Sequence, residues 1–116
     1  ELNGTSNLAK IVQGDSRDLS KIEDNSIGLV VTSPPYWDKA DYGTGKSNIG
    51  KPTSYKDFYR QIEPVLRECY RVLMPGRKIC LVTENVNQHT NHGLLTFPLA
   101  SDFTQMLRDI GFVMIN

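Results

Sequence analysis

The chain has 116 residues, 39% of them hydrophobic and 22% charged, which suits one modest core and excludes both disorder and a pair of separate catalytic and recognition domains. Thirteen basic and thirteen acidic side chains cancel, so nucleic acid is not held by bulk positive charge and any polyanion site is local. Two cysteines without a CxxC pair exclude a disulfide scaffold and a four-thiolate zinc site, and no apolar run approaches the roughly 20 residues that span a bilayer; a cytoplasmic protein with no membrane partner and no metal is expected.

In chain order, Ala9 to Val12 reads as a short strand that ends at Gly14-Asp15-Ser16, and the polar stretch Arg17 to Ser26 as a short helix. Ile27-Gly28-Leu29-Val30-Val31-Thr32 has the continuous apolar pattern of a strand buried on both faces of a parallel sheet. Pro34 and Pro35 stop it, because neither supplies the N–H that a central strand needs. Trp37 to Pro52 is a loop. Ser54, three residues before Asp57, begins the longest helix, with Tyr55, Phe58, Tyr59, Ile62, Leu66, Cys69, Tyr70 and Leu73 at helical spacing. Pro64 predicts a kink or a second helix start, and Pro75-Gly76 the end. Lys78 to Val86 reads as a strand and Asn85 to Gly93 as a polar loop. Leu99, Phe103, Met106, Leu107 and Ile110 mark a second helix closed by Gly111, and Phe112 to Ile115 begins another strand. This alternation predicts an α/β fold, a mainly parallel sheet flanked by helices, in which ligands bind beyond the carboxyl ends of the strands.

Asp15 and Ser33-Pro34-Pro35-Tyr36 both fall at such ends. A lone Asp after a strand most often closes a turn or caps a helix, so its functional reading depends on what shares the crevice. The two prolines remove two donors and leave nearby carbonyls without internal partners; the Ser33 hydroxyl adds an acceptor and Tyr36 an aromatic face. Acceptors beside a stacking surface suit a planar ring that carries an exocyclic amino group. Gly45-Lys46-Ser47 imitates the end of a P-loop, but Ala40 stands where the first glycine belongs. Lys39, Lys46 and Lys51 are available to phosphates, and Trp37 to Lys78 holds nine basic and five acidic residues, although a solvated helix face explains much of that excess. His89 and His92 read as surface residues, and Cys69 and Cys80 as packing residues.

Gly14-Asp15-Ser16, Asp24 to Trp37, Asp41-Tyr42-Gly43 and Tyr70 to Gly76 together resemble the S-adenosylmethionine-dependent DNA amino-methyltransferases of restriction-modification systems, over nearly the whole chain. The resemblance implies a partial Rossmann-like methyltransferase fold, with S-adenosylmethionine as cofactor and a flipped DNA base as substrate. Serine before Pro-Pro-Tyr is typical of the enzymes that methylate cytosine N4. Adenine N6 or another amine is the alternative, and a noncatalytic nucleic-acid-binding remnant a further one. By this resemblance Ser33, Pro34, Pro35 and Tyr36 form the catalytic set. Asp15 and Ser33 meet the cofactor, and Tyr36, Trp37, Lys39 and Tyr42 face the substrate. Cytosine C5 chemistry needs a Pro-Cys pair, and neither cysteine follows a proline. The family's Phe-x-Gly-x-Gly cofactor loop is not found in the 116 residues, and the motif order is that of the permuted subclass. Residues 1–116 are therefore expected to be its N-terminal catalytic portion, with the target-recognition region and cofactor loop supplied by a C-terminal half or a second chain.

Overall fold

The computed structural model describes residues 9–35 and 54–115. Six elements follow in order: β1 (Ile27–Thr32), α1 (Tyr55–Val72), β2 (Leu73–Leu81), β3 (Val86–Thr90), β4 (Gly93–Phe97) and α2 (Leu99–Ile110). Extended Ser54 caps α1, its side chain accepting the Asp57 N–H at 3.1 Å. Phe58, Ile62, Leu66, Cys69 and Val72 recur every three or four residues and are all buried. Pro64 neither splits the helix nor starts a new one. It lies on the exposed side, where the Arg60 carbonyl it leaves unpaired can be met by water.

The helix ends at Val72, earlier than the Pro75-Gly76 pair suggested, because Leu73 is already extended and opens β2. Parallel pairing of β1 with β2 runs through Val30↔Ile79, Val31↔Cys80 and Thr32↔Leu81. Between Ile27↔Leu73 and Leu29↔Lys78 the register shifts, and β2 takes up its extra residues in a bulge around Pro75 and Gly76, the latter at φ +77°. The pairing makes the fold α/β, with α1 as the crossover that parallel strands require.

On one face of this pair, Ile79 and Leu81 pack against a core of Phe58, Ile62, Leu66, Val86, Leu99, Phe103 and Met106. The other face is bare among the described residues: Leu29 is 54% and Val31 66% exposed, and Cys80 is exposed too. Burial of β1 on both faces, and of Cys80, is thus corrected: both helices contribute to the same core and no described element covers the second face. The expected strand at Ala9 to Val12 is absent, with Ile11 97% exposed, and Arg17 to Ser26 forms turns in place of a helix. Neither segment carries the apolar periodicity that burial would reward. Phe112 to Ile115 likewise has no described strand partner.

Val86 does not close β2 but opens β3, and the expected polar loop is an antiparallel hairpin, pairing Val86↔Phe97 through Thr90↔Gly93 around Asn91-His92. Phe97 anchors it against Tyr55, ring centroids 4.8 Å apart. The α2 N-terminus has no side-chain cap on Pro98, and Asn85 substitutes by accepting the Ala100 N–H at 3.2 Å. Gly111 ends α2 at φ +133°, where a Cβ would sit 2.8 Å from the Tyr70 hydroxyl.

Four substitutions probe this framework by urea denaturation. Leu66→Ala should cost about 2–5 kcal/mol, and Ser54→Ala about 1 kcal/mol. Gly111→Ala should also destabilise, through backbone strain and the collision with Tyr70, and Tyr70→Leu should recover only the part due to the collision.

Candidate active site

The last ladder bond at the carboxyl end of β1 is donated by the Val82 N–H to the Thr32 carbonyl, at 2.9 Å. Immediately beyond it, Pro34 is buried, Pro35 is half-buried and Ser33 is exposed. A buried proline with fixed φ holds the backbone, so the Ser33 side chain is presented at the strand end without regular structure to support it. Alongside, two residues past the end of β2, the Thr83 hydroxyl oxygen is buried with no hydrogen-bond partner among the described residues. Tyr36, Trp37, Lys39 and Tyr42, together with Gly45-Lys46-Ser47, lie outside the described residues.

Asp15 sits in a turn closed by the Asp18 N–H on its carbonyl, at 3.0 Å. Its carboxylate accepts from the Arg17 backbone N–H (2.9 Å), from Nε on both oxygens (3.0 Å each) and from Nη2 (2.5 Å). Arg17 Nη1 in turn donates to Gln61 Oε1 on α1 at 3.0 Å. The Arg17 side-chain hydrogen bonds, reinforced by its backbone N–H, hold the Asp15 carboxyl down at about 2, below its usual 3.8.

The rest of the segment is fastened lower on the same helix. Glu68 accepts the Leu19 N–H at 2.6 Å and both Nε and Nη2 of Arg71. Arg71 also donates to the carbonyls of Ile22 and Leu19, both at 2.9 Å, and to Asp24 at 2.6 Å. The Asn25 and Ser26 amides then bond the Arg71 and Val72 carbonyls. Hydrogen bonds from Arg71, and then from the Leu19 amide, lower the Glu68 pKa; those with Glu68, then Asp24, raise that of Arg71. Seven residues separate Gln61 from Glu68, about 10 Å along the axis at 1.5 Å per residue. Since α1 runs antiparallel to the strands it connects, Asp15 is fastened nearer their carboxyl ends than Leu19 to Ser26 are.

Ser33, Pro34 and Pro35 are therefore brought to one strand end, and Asp15 is tied towards that same end of the sheet. Reading the sequence missed Arg17, Gln61, Glu68 and Arg71. The available signal was an arginine two residues after Asp15, and a Glu68/Arg71 pair three apart on a helix that follows an acidic stretch. His89 and His92 are exposed in the hairpin and its turn, and Cys69 is buried, its thiol pKa raised mainly by burial. An open groove along β2, α2 and residues 111–115 includes Met74, Phe103, Leu107 and Met114, but neither Asp15 nor Ser33 lines it.

The family model described as DNA methylase, for N6 and N4 enzymes, matches residues 27–116, more than half of the chain. The chain belongs to the N6/N4 DNA methylase family. Among curated members, the Type II methyltransferase M.MjaI of Methanocaldococcus jannaschii is 31% identical over 126 residues, covering 90% of this chain and 42% of its own. The Type II methyltransferase M.SfiI of Streptomyces fimbriatus is 44% identical over 61 residues, covering 52% of this chain and 14% of its own. Among solved structures, TTHA0409 of Thermus thermophilus, described as a DNA modification methylase and complexed with S-adenosyl-L-methionine, superposes with a TM-score of 0.71 at 35% identity, covering 89% of this chain and 41% of that one. The chain thus spans less than half the length of each of these relatives. The likeness to TTHA0409 agrees with a partial methyltransferase fold.

Two measurements test the clamps of this methylase chain. Arg71→Ala should accelerate hydrogen exchange at the Leu19, Asn25 and Ser26 amides while leaving Leu66 protected. An NMR titration of Asp15 should give a midpoint of about 2, returning towards 3.8 in Arg17→Ala. Because the folded value is the lower one, the pair's stabilisation is fully present above pH 3.8 and is lost as pH falls through about 2; with the Asp15 side chain 48% exposed, that stabilisation is small.

Proposed function

We propose that the chain is the catalytic portion of a DNA methyltransferase that transfers a methyl group from S-adenosylmethionine to the exocyclic N4 of cytosine. The observation that carries the reading is Ser33-Pro34-Pro35 at the carboxyl end of a parallel strand, its backbone held by buried Pro34. Serine at the first position favours cytosine over adenine by resemblance. Family membership, and the S-adenosyl-L-methionine bound by TTHA0409, support the cofactor.

Asp15 fits the cofactor's adenine end: an ionised carboxylate is an acceptor suited to an exocyclic amino group. When bound, the cofactor supplies an electrophilic methyl group on a sulfonium. The task of the protein is to make the base's amine nucleophilic. Its lone pair is delocalised into the ring, and hydrogen bonds from the amine to the Ser33 hydroxyl and the Pro34 carbonyl favour the localised, pyramidal form. Positive charge develops on nitrogen as the methyl arrives, so both acceptors bind the transition state more tightly than the ground state. Tyr36 stacks on the flipped base, an interaction worth about 1–3 kcal/mol. Lys39, Trp37 and Tyr42 are assigned to the DNA side of the site.

Methyl transfer into DNA by the full-length gene product, followed by nucleoside analysis, is the test. N4-methylcytosine is the expected product, and N6-methyladenine would move the assignment to the other amine of the family. Ser33→Ala and Tyr36→Ala should each lower the rate at least tenfold; unchanged rates in both would end the assignment. The 116-residue chain alone should bind S-adenosylmethionine weakly or not at all, which micromolar binding by calorimetry would contradict.

A further inference from the structure

Arg17 takes up most of the acceptor capacity of the residue assigned to the cofactor. A carboxylate offers about four acceptor sites on two oxygens. On Asp15, Oδ1 receives the Arg17 N–H and Nε, while Oδ2 receives Nη2 and a share of Nε. The pair is too exposed for these bonds to serve folding: the Asp15 side chain is 48% and that of Arg17 27% accessible, and an ion pair of this kind contributes on the order of 0–1 kcal/mol. Their effect is on direction. A planar guanidinium gripping both oxygens permits few carboxylate orientations, and Nη1 refers that orientation to α1 through Gln61. Segment 15–26 has no helix or strand to hold it, and it is fastened to α1 at two levels, by Arg71 below and Arg17 above. The lower clamp fixes mainly backbone, with carbonyls and amides as its partners beside the Asp24 carboxylate. The upper one fixes a side chain.

We propose that Arg17 is the positioning residue of the cofactor site: held to Gln61, it aims the remaining acceptor capacity of Asp15 at the amino group of the cofactor's adenine. This rests on the assignment of Asp15 to the cofactor. Lysine does not substitute, since an ammonium lacks the planar fork that sets the carboxylate's orientation.

The test uses the full-length gene product and two stable probes, S-adenosylhomocysteine and S-inosylhomocysteine, the second bearing a carbonyl oxygen where the first bears the amino group. Calorimetry should show wild type preferring the adenosyl probe about tenfold or more. Arg17→Ala should abolish most of that preference by weakening adenosyl binding alone. Arg17→Lys should not restore it, and Gln61→Ala should lower it in part. In an Asp15→Asn background, Arg17→Ala should change nothing further. Inosyl affinity serves as the control for folding, because a merely structural loss weakens both probes alike. The proposal is overturned if Arg17→Ala keeps the preference, weakens both probes equally, or tightens adenosyl binding, the last meaning that Arg17 competes for the carboxylate. If Asp15→Asn keeps the preference, the assignment of Asp15 itself is wrong and the positioning role goes with it, whereas methyl transfer that depends on Ser33 would still stand.

Discussion

The parallel register of β1 against β2 is the constraint on which the rest depends. It requires a crossover, and α1 is long enough and apolar enough on one side to be both crossover and core. It also sets where the site lies. With Thr32 opposite Leu81, and the Val82 amide on the Thr32 carbonyl, the first residues free of ladder bonding are Ser33 and the two prolines. A shift of β1 by one residue against β2 would turn Val30 away from the core and bring Leu29 and Val31 onto it. The bulge at Pro75-Gly76 absorbs the mismatch at the other end, so the pairing is regular where the site is built.

Where regular structure is lacking, side chains replace it. Residues 9–26 form no helix or strand, and the stretch from Asp15 to Ser26 is fastened to the polar side of α1 through Gln61, Glu68 and Arg71. One helix therefore serves two layers: its apolar stripe meets α2 and the sheet, and its polar stripe carries the segment that holds Asp15. Charge-assisted bonds at partly exposed positions add little to stability, but they choose one arrangement for a chain segment that has no backbone ladder to choose it.

Among the described residues, nothing covers the second face of the β1–β2 pair. Leu29, Val31 and Val82 are exposed, as are Val113, Met114 and Ile115 beyond α2. The family relatives are more than twice as long as this chain. The parallel pair of β1 and β2 agrees with a partial methyltransferase fold.

The sequence by itself determined the elements whose signals are local. Ser54 before an apolar stripe meant α1, Phe103 and Met106 with Gly111 meant α2, and the diproline meant the end of β1, because caps, periodicity and missing N–H groups act within a few residues. The Ser33-Pro34-Pro35 part of the candidate site was legible for the same reason, as was family membership. Only the tertiary structure decided what depends on partners. Pro64 is tolerated because its side of α1 faces water, Val86 to Thr90 pairs with Gly93 to Phe97, and Ala9 to Val12 and Phe112 to Ile115 have no strand partner among the described residues. Arg17 and Arg71 are ordinary surface residues in one dimension. They become clamps only when the fold brings Gln61 beside Arg17, and Leu19, Ile22 and Asp24 beside Arg71, since a hydrogen bond between residues 44 to 52 positions apart leaves no local trace in the chain.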